Sequence, residues 1–349
     1  MLGPCAAESR EQVMETASLV CDLRFQISNL IFRAGVWKPR TRPDTFQGVG
    51  EEGLGWLQEV KERFGIPVAT EVATPEHVEA ALKAGIDYLW IGARSSANPI
   101  VVQSICSAIL DLRLKIEDFR LKGVLIKNPV NADAGLWLGN IERLEKAVKG
   151  LQVTGDGIPV MAVHRGCNHQ PCWAMAHKVR LARPDIPMLL DPSHMSGDAK
   201  VVPMLMGKVA ELGLDGAMVE VHAHPEQALS DRKQQIRPDG LMSALKVLND
   251  ATKSPNDEPT APNDTELNWL RAEIDELDET LWDTIAARME VSKRIGEWKK
   301  AHGVAPLQPE RVKVIGERLK VIGERLHLSE QFMQKMWEII HEQSLNEQY

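Results

Sequence analysis

Ala251-Thr-Lys-Ser-Pro-Asn-Asp-Glu-Pro-Thr-Ala-Pro-Asn-Asp264 is the stretch that divides this chain. It carries three prolines and no large apolar residue, so it has nothing with which to build a core and reads as a linker. Upstream of it, short apolar runs alternate with helical stretches. The runs are Leu30-Ile-Phe32, Ile66-Pro-Val-Ala69, Tyr88-Leu-Trp-Ile91, Val124-Leu-Ile126, Val160-Met-Ala-Val163, Met188-Leu-Leu190 and Ala217-Met-Val219. They read as seven strands buried on both faces, the pattern of a parallel sheet. Amphipathic segments such as Pro75–Ala84, Ile141–Val148 and Lys200–Leu212 lie between them. An α/β alternation of this length points to a (β/α)8 TIM barrel over residues 1–250. Its eighth strand would have to end at Met1-Leu2, which is too short, so the first strand is expected to be truncated.

Downstream the pattern is helical alone. Leu267, Leu270, Ile274, Leu277, Leu281 and Ile285 recur at three- and four-residue spacing, the mark of one long amphipathic helix. Thr265 precedes it as the expected N-cap. Residues 313–326 read Lys-Val-Ile-Gly-Glu-Arg-Leu twice in succession, which suits a continuing helix but is too few copies for a solenoid. A third helix is expected from Ser329 to Gln348. The division is then 1–250 barrel, 251–264 linker and 265–349 all-α domain.

The bulk numbers exclude several classes. With 349 residues, 44% hydrophobic and 26% charged, the chain is globular and long enough for two domains. No apolar run is long enough to span a bilayer, and the N-terminus has no basic n-region or apolar h-region. Five scattered cysteines suit a reducing cytoplasm better than a disulfide framework. A net charge of −8 argues against wholesale nucleic-acid binding. An anionic substrate must therefore be held by locally concentrated Arg and Lys.

Such residues sit at the ends of the apolar runs. Arg33, Lys38, Arg94, Lys127 and Arg165 all follow or end a strand, as do Cys5, Glu71, His194 and Glu220. A barrel gathers the C-terminal ends of its strands at one face, so these charges converge. Five cations around one mouth would repel each other unless a phosphate or carboxylate were bound. Cys5, His194, Glu220 and Asp231 together offer the donors of a divalent transition-metal site. His164, Cys167, His169 and Cys172 resemble zinc ligands by type, but their spacing is compressed, and Arg165 is the better candidate in that loop.

Gly3-Pro-Cys-Ala-Ala-Glu-Ser9, Lys38-Pro-Arg-Thr41, Ile91-Gly-Ala-Arg94, Asp191-Pro-Ser-His194, Val219-Glu-Val-His222 and Ser230-Asp231 occur in the order seen in 3-deoxy-D-arabino-heptulosonate-7-phosphate (DAHP) synthases. Residues 1–250 resemble that family, and Lys38-Pro-Arg-Thr41 is the most discriminating piece. The resemblance implies that Arg33, Lys38, Arg94, Lys127 and Arg165 hold phosphoenolpyruvate. It implies Arg40 and Thr41 for the phosphate of erythrose 4-phosphate, Lys38 as a catalytic residue, and Cys5, His194, Glu220 and Asp231 as metal ligands. The metal implied is Mn2+ first, with Co2+, Fe2+ and Zn2+ as alternatives.

In the helical part, Arg288 and Lys299 are eleven residues apart, nearly the same azimuth of a helix and about 16 Å along it. Arg271 lies seventeen residues before Arg288, roughly 25 Å away, too far to serve the same small ligand unless another subunit supplies it. Ser344 and Gln348 share a face at i and i+4. Residues 266–349 resemble an all-helical chorismate mutase through Leu270-Arg271, Ile274-Asp275, Ala287-Arg288, Lys299, Pro309-Glu-Arg311 and Ser344. By resemblance Arg271, Arg288, Arg311 and Ser344 bind the substrate, and Lys299 and Gln348 stabilise its ether oxygen. Where many relatives carry acidic residues this chain has Gln308 and Val312, and Val312 cannot hydrogen-bond the substrate.

The expected protein is a cytoplasmic bifunctional enzyme of the shikimate pathway, making DAHP and converting chorismate to prephenate. It is expected to be at least a dimer through its helical domain, with feedback on the first reaction by ligands of the second. The alternative is another phosphoenolpyruvate-dependent sugar-acid synthase carrying a non-catalytic dimerisation or regulatory module.

Overall fold

The computed structural model describes residues 1–27, 29–40, 44–113, 115, 119–149, 157–252 and 262–348. Two compact units divide it: Met1–Glu273 and Ile274–Tyr349.

The first unit is a parallel barrel. Its strands are β1 (Leu2–Gly3), β2 (Phe32–Arg33), β3 (Val68–Val72), β4 (Tyr88–Ile91), β5 (Gly123–Lys127), β6 (Val160–His164), β7 (Met188–Leu190), β8 (Gly216–Ala217) and β9 (Val219–Glu220). Neighbours pair in the order β8-β7-β6-β5-β4-β3-β2-β1-β9. β8 and β9 are two halves of one strand. Ala217 pairs with Leu190 on one side, Val219 pairs with Leu2 on the other, and Met218 between them seals the barrel.

The first strand spans only Leu2–Gly3, yet it closes the ring. Leu2 pairs with both Phe32 and Val219, and the Met1 ammonium donates to the Ala217 carbonyl at 2.7 Å. Gly3 makes this approach feasible: with φ +146°, a Cβ there would lie 2.1 Å from the Arg33 carbonyl oxygen. Only glycine tolerates both that conformation and that closeness.

Inside the barrel Ala69, Trp90, Leu125, Val163, Leu189 and Met218 form a closed apolar plug. A larger apolar layer lies between strands and helices, including Val13, Leu57, Val78, Ile105, Ile141 and Val179. The barrel is thus a packed core whose chemistry is confined to the strand ends.

The long helix runs Pro262–Ala301. It begins three residues before Thr265, so Thr265 is not its N-cap. Proline is well suited to a first helical position, because its missing N–H would have had no partner there. Residues up to Glu273 belong to the first unit because Trp269 and Ala272 are buried in it. Trp269 stacks on His177 (5.3 Å between centroids, planes 7° apart), and Glu273 Oε1 lies 2.5 Å from His177 Nδ1.

The second unit continues this helix and adds helices Pro309–Leu326 and Glu330–Asn346. The repeated heptads form one uninterrupted helix. Ser329 caps the last one, accepting from the Phe332 N–H at 3.2 Å. That helix stops at Asn346, and Gln348 sits in the turn beyond it.

Candidate active sites

At the C-terminal mouth of the barrel is a cleft of about 340 Å3. Lys38, Arg40, Arg94, Lys127, Arg165, His194 and Asp231 line it, with Glu71, Asn168, His169 and Gln234. Seven charged or ligating residues from six different strand ends are therefore brought to one place. Thr41 lies outside the described residues.

A donor cluster lies against the cleft at Lys38 and Asp231. Donor atoms of Cys5, Glu220 and Asp231 all lie within 4.8 Å of one another. The Cys5 thiol donates to Asp231 Oδ2 at 3.0 Å and accepts from Lys38 Nζ at 2.6 Å. His194 Nε2 stands 3.6 Å from Glu220 Oε1, so the fourth expected ligand borders the trio. Burial and the neighbouring Glu220 push the Cys5 thiol well above its ordinary value, against the pull of Lys38. Burial alone would lower Lys38, but Cys5, Glu220, Asp231 and Glu71 raise it above the ordinary lysine value. Its ammonium is thus present throughout the neutral range. Burial lowers His194, which leaves a ring lone pair available near pH 7.

Two residues beneath the cleft carry the arrangement. Asp191, fully buried, accepts from Lys127 Nζ at 2.6 Å and faces His194 Nδ1 at 2.8 Å. Burial opposes its ionisation, but His194 and Lys127 hold it well below the usual carboxylate range. Removing either member of the Lys127–Asp191 pair would leave a buried charge alone, a loss of about 3–5 kcal/mol. Arg33 is 1% exposed and does not line the cleft. Its guanidinium lies 4.7 Å over Trp90, donates to the Cys5 carbonyl at 2.9 Å and reaches Glu220 at 3.4 Å. It sits behind the donor cluster and supports it.

Several participants were invisible as such in the sequence. Asp191 belongs to a recognisable motif, but nothing local says that it neutralises Lys127. Asn128 accepts from the Arg165 N–H at 2.7 Å, and Gln234 donates to Glu220 Oε2 at 2.8 Å. The His164, Cys167, His169 and Cys172 set does not form one metal-binding group among the described residues. His164 is sealed between Trp137 and Trp173, while His169 lines the cleft.

The second unit has its own polar cluster. Arg288 donates to Ser344 Oγ and to the Ile340 carbonyl, the latter at 3.4 Å. Lys299, 9% exposed, donates to Gln348 Oε1 at 2.9 Å and to the Pro306 carbonyl at 2.5 Å. Gly296 permits this closeness, since a Cβ there would lie 2.5 Å from Gln348 Cα. Four of the six expected mutase residues thus meet in two pairs, Arg288 with Ser344 and Lys299 with Gln348. Arg311 is exposed at the start of its helix, and Arg271 belongs to the first unit, exposed and 3.5 Å from Asn268 Oδ1.

Both parts of the chain are similar to known proteins. Residues 1–256 match the DAHP synthetase I family. The chain belongs to that family. Residues 270–349 match chorismate mutase type II. A phospho-2-dehydro-3-deoxyheptonate aldolase of Thermotoga maritima is 33% identical over 258 residues, covering 71% of this chain and 69% of its own. A 2-dehydro-3-deoxyphosphooctonate aldolase of Geobacter sp. is 30% identical over 258 residues, covering 70% and 89%. The crystal structure of DAHP synthase from Thermotoga maritima superposes with a TM-score of 0.58 at 26% identity, covering 72% of this chain and 67% of that one. The chain therefore fuses a DAHP synthase to a chorismate mutase, a transferase and an isomerase of the shikimate pathway.

Proposed function

We propose that the barrel cleft condenses phosphoenolpyruvate with erythrose 4-phosphate using a divalent metal held by Cys5, His194, Glu220 and Asp231. The observation that carries this is the convergence of Cys5, Glu220 and Asp231 donors within 4.8 Å beside a cationic cleft. Thiol, carboxylates and imidazole together suit a first-row transition ion, Mn2+ first and Co2+, Fe2+ or Zn2+ after it. Such an ion supplies Lewis-acid stabilisation of the aldehyde oxygen when bound.

The chain's own residues do the rest. Arg94, Lys127 and Arg165 hold the phosphate and carboxylate of phosphoenolpyruvate, with Arg33 bracing the cluster from behind. Arginine's planar fork matches these groups better than a lone ammonium. Arg40 and Thr41 take the aldehyde's phosphate. Carbon 3 of phosphoenolpyruvate attacks the aldehyde, and Lys38 Nζ, kept charged, offsets the charge on the oxygen and protonates it. Water adds at carbon 2, and phosphate leaves as the hemiketal collapses.

In the helical part Arg288, Arg311, Ser344 and the Arg271 of another subunit bind chorismate, while Lys299 and Gln348 stabilise its ether oxygen. Positioning and charge suffice for a pericyclic rearrangement. The boundary between the activities lies in 251–264, the location is the cytoplasm, and prephenate or chorismate feeds back on DAHP synthesis. A dimer is supported by the exposure of Ile274, Leu277, Leu281 and Trp282, each at least 45% open to solvent on the long helix. Chelation tests the metal reading: it should abolish DAHP synthesis, leave chorismate turnover intact and be reversed by Mn2+. Full synthesis by metal-free enzyme would remove the proposed site.

A further inference from the structure

The segment that carries Lys38 and Arg40 is fastened outside the cleft as well as inside it. The Val36 N–H donates to Thr70 Oγ1 at 3.3 Å, and the Gly50 N–H to the Val36 carbonyl at 2.9 Å. The Lys38 N–H donates to the Gln47 carbonyl at 2.7 Å, and Arg40 Nε to the Phe46 carbonyl at 3.1 Å. Trp37, between Val36 and Lys38, is not among the residues that line the cleft. Its indole lies flat on the imidazole of His77, with centroids 4.0 Å apart and planes inclined by 4°.

The imidazole is itself held in one orientation. His77 is in the first turn of the helix Pro75–Lys83, which follows β3 and its cleft-lining Glu71. The Ala73 N–H donates to His77 Nδ1 at 3.3 Å, and the His77 N–H donates to Thr74 Oγ1 at 3.3 Å. Nδ1 can accept only in the unprotonated ring, and half-burial keeps the ring in that state by lowering its pKa. A flat ring with a fixed azimuth is thus presented to Trp37 from the turn after β3.

We propose that Trp37 and His77 are positioning residues for the synthase reaction, their stack setting where Arg40 meets the phosphate of the aldehyde substrate. The proposal rests on the reading that Arg40 receives that phosphate. Lys38 and Arg40 depend on the stack unequally. Lys38 is 8% exposed and gripped by both Cys5 and Asp231 at 2.6 and 3.3 Å. Among the described residues Arg40 has one ion pair, to Asp231 at 3.2 Å, and its side chain is 14% exposed against 8% for Lys38. Loosening Trp37 therefore displaces Arg40 more than Lys38. A fork that must meet a phosphate bidentately is sensitive to such a shift.

The test is steady-state kinetics of the metal-replete full chain carrying His77→Ala, His77→Phe or Arg40→Ala. His77→Ala should raise KM for erythrose 4-phosphate about three- to ten-fold, the worth of one aromatic stack, with KM for phosphoenolpyruvate changed by less than about twofold. His77→Phe keeps the flat ring but loses the Nδ1 acceptor, and should restore most of the aldehyde KM. Because both side chains serve one contact, adding Trp37→Leu to His77→Ala should cost little more than either alone. Equal rises for both substrates, or no rescue by phenylalanine, would overturn the positioning role. An unaltered KM in His77→Ala alongside a raised KM in Arg40→Ala would overturn it too, while sparing the Arg40 reading. An unaltered KM in Arg40→Ala would instead remove the reading on which the proposal stands.

Discussion

Gly296→Ala is a substitution that ordinary helix energetics would favour and that this structure penalises. Alanine is better than glycine inside a helix by about 1 kcal/mol, so on propensity alone the variant gains stability. In the structure the added Cβ would lie 2.5 Å from Gln348 Cα and 2.9 Å from the Gln348 carbonyl oxygen. These are backbone atoms, so no side-chain rotation relieves the contact. Ordinary contact begins at 3.4 Å, so the turn carrying Gln348 must retreat by 3.4 − 2.5 = 0.9 Å. Gln348 lies beyond the end of its helix, at the edge of the unit, so that retreat is cheap in stability. It is costly in geometry. The Lys299–Gln348 hydrogen bond of 2.9 Å would open toward 3.8 Å, beyond bonding distance. If the pair stabilises the ether oxygen of chorismate, losing one preorganised group lowers kcat by about 10²-fold or more. The assay is chorismate consumption by the full chain, with DAHP synthesis and Tm measured on the same preparation. The expected result is a mutase loss matching that of Gln348→Ala, an unchanged synthase rate and an unchanged or higher Tm. Near-normal mutase turnover in Gly296→Ala would refute the reasoning, as would a loss accompanied by an equal loss of folded protein.

Three further outcomes are expected. Mixing Arg271→Ala with Arg288→Ala protein should restore part of the lost mutase activity, because seventeen residues of helix, roughly 25 Å, are too long for both to serve one small ligand from the same chain and the proposed site takes Arg271 from another subunit; no recovery despite proven subunit exchange would place each site in one chain. Burial lowers His164 from 6.5 to about 3, so the folded state refuses a proton that the unfolded chain accepts, and the stability present above pH 6.5 is lost as pH falls toward 3. His164→Phe should flatten that acid limb in urea titrations at several pH values, and an identical pH profile would count against it. Prephenate should inhibit DAHP synthesis in wild type but not in Arg288→Ala, with a coupling of about 1–3 kcal/mol; inhibition that survives the substitution would move the effector elsewhere.

Much of this protein follows from local sequence pattern. The apolar runs from Leu30 to Val219 become strands, and the 3.6-residue spacing around Ile274 becomes a helix, because burial periodicity is set by near neighbours. The polar residues at strand ends needed only one further rule, that a parallel barrel opens all those ends on one face. What depended on distant partners could not be read this way. Leu2–Gly3 is too short to declare itself a strand, and becomes one because β2 and β9 offer it partners on both sides. Arg33 ends a strand just as Arg165 follows one, yet it is sealed behind Cys5 and Glu220 while Arg165 lines the cleft. Asp191 becomes the counter-ion of Lys127 across 64 residues, and His77 meets Trp37 across a loop and a strand. Residues 262–273 look like the start of the mutase helix, but Trp269 and Ala272 are buried and the helix up to Glu273 groups with the barrel. Local periodicity decides which face of an element is apolar. Which element that face then meets, and which charge ends beside which, is a property of the closed barrel and of the approach of the Gln348 turn to Gly296, where distances of a few ångströms are set by residues far apart in the chain.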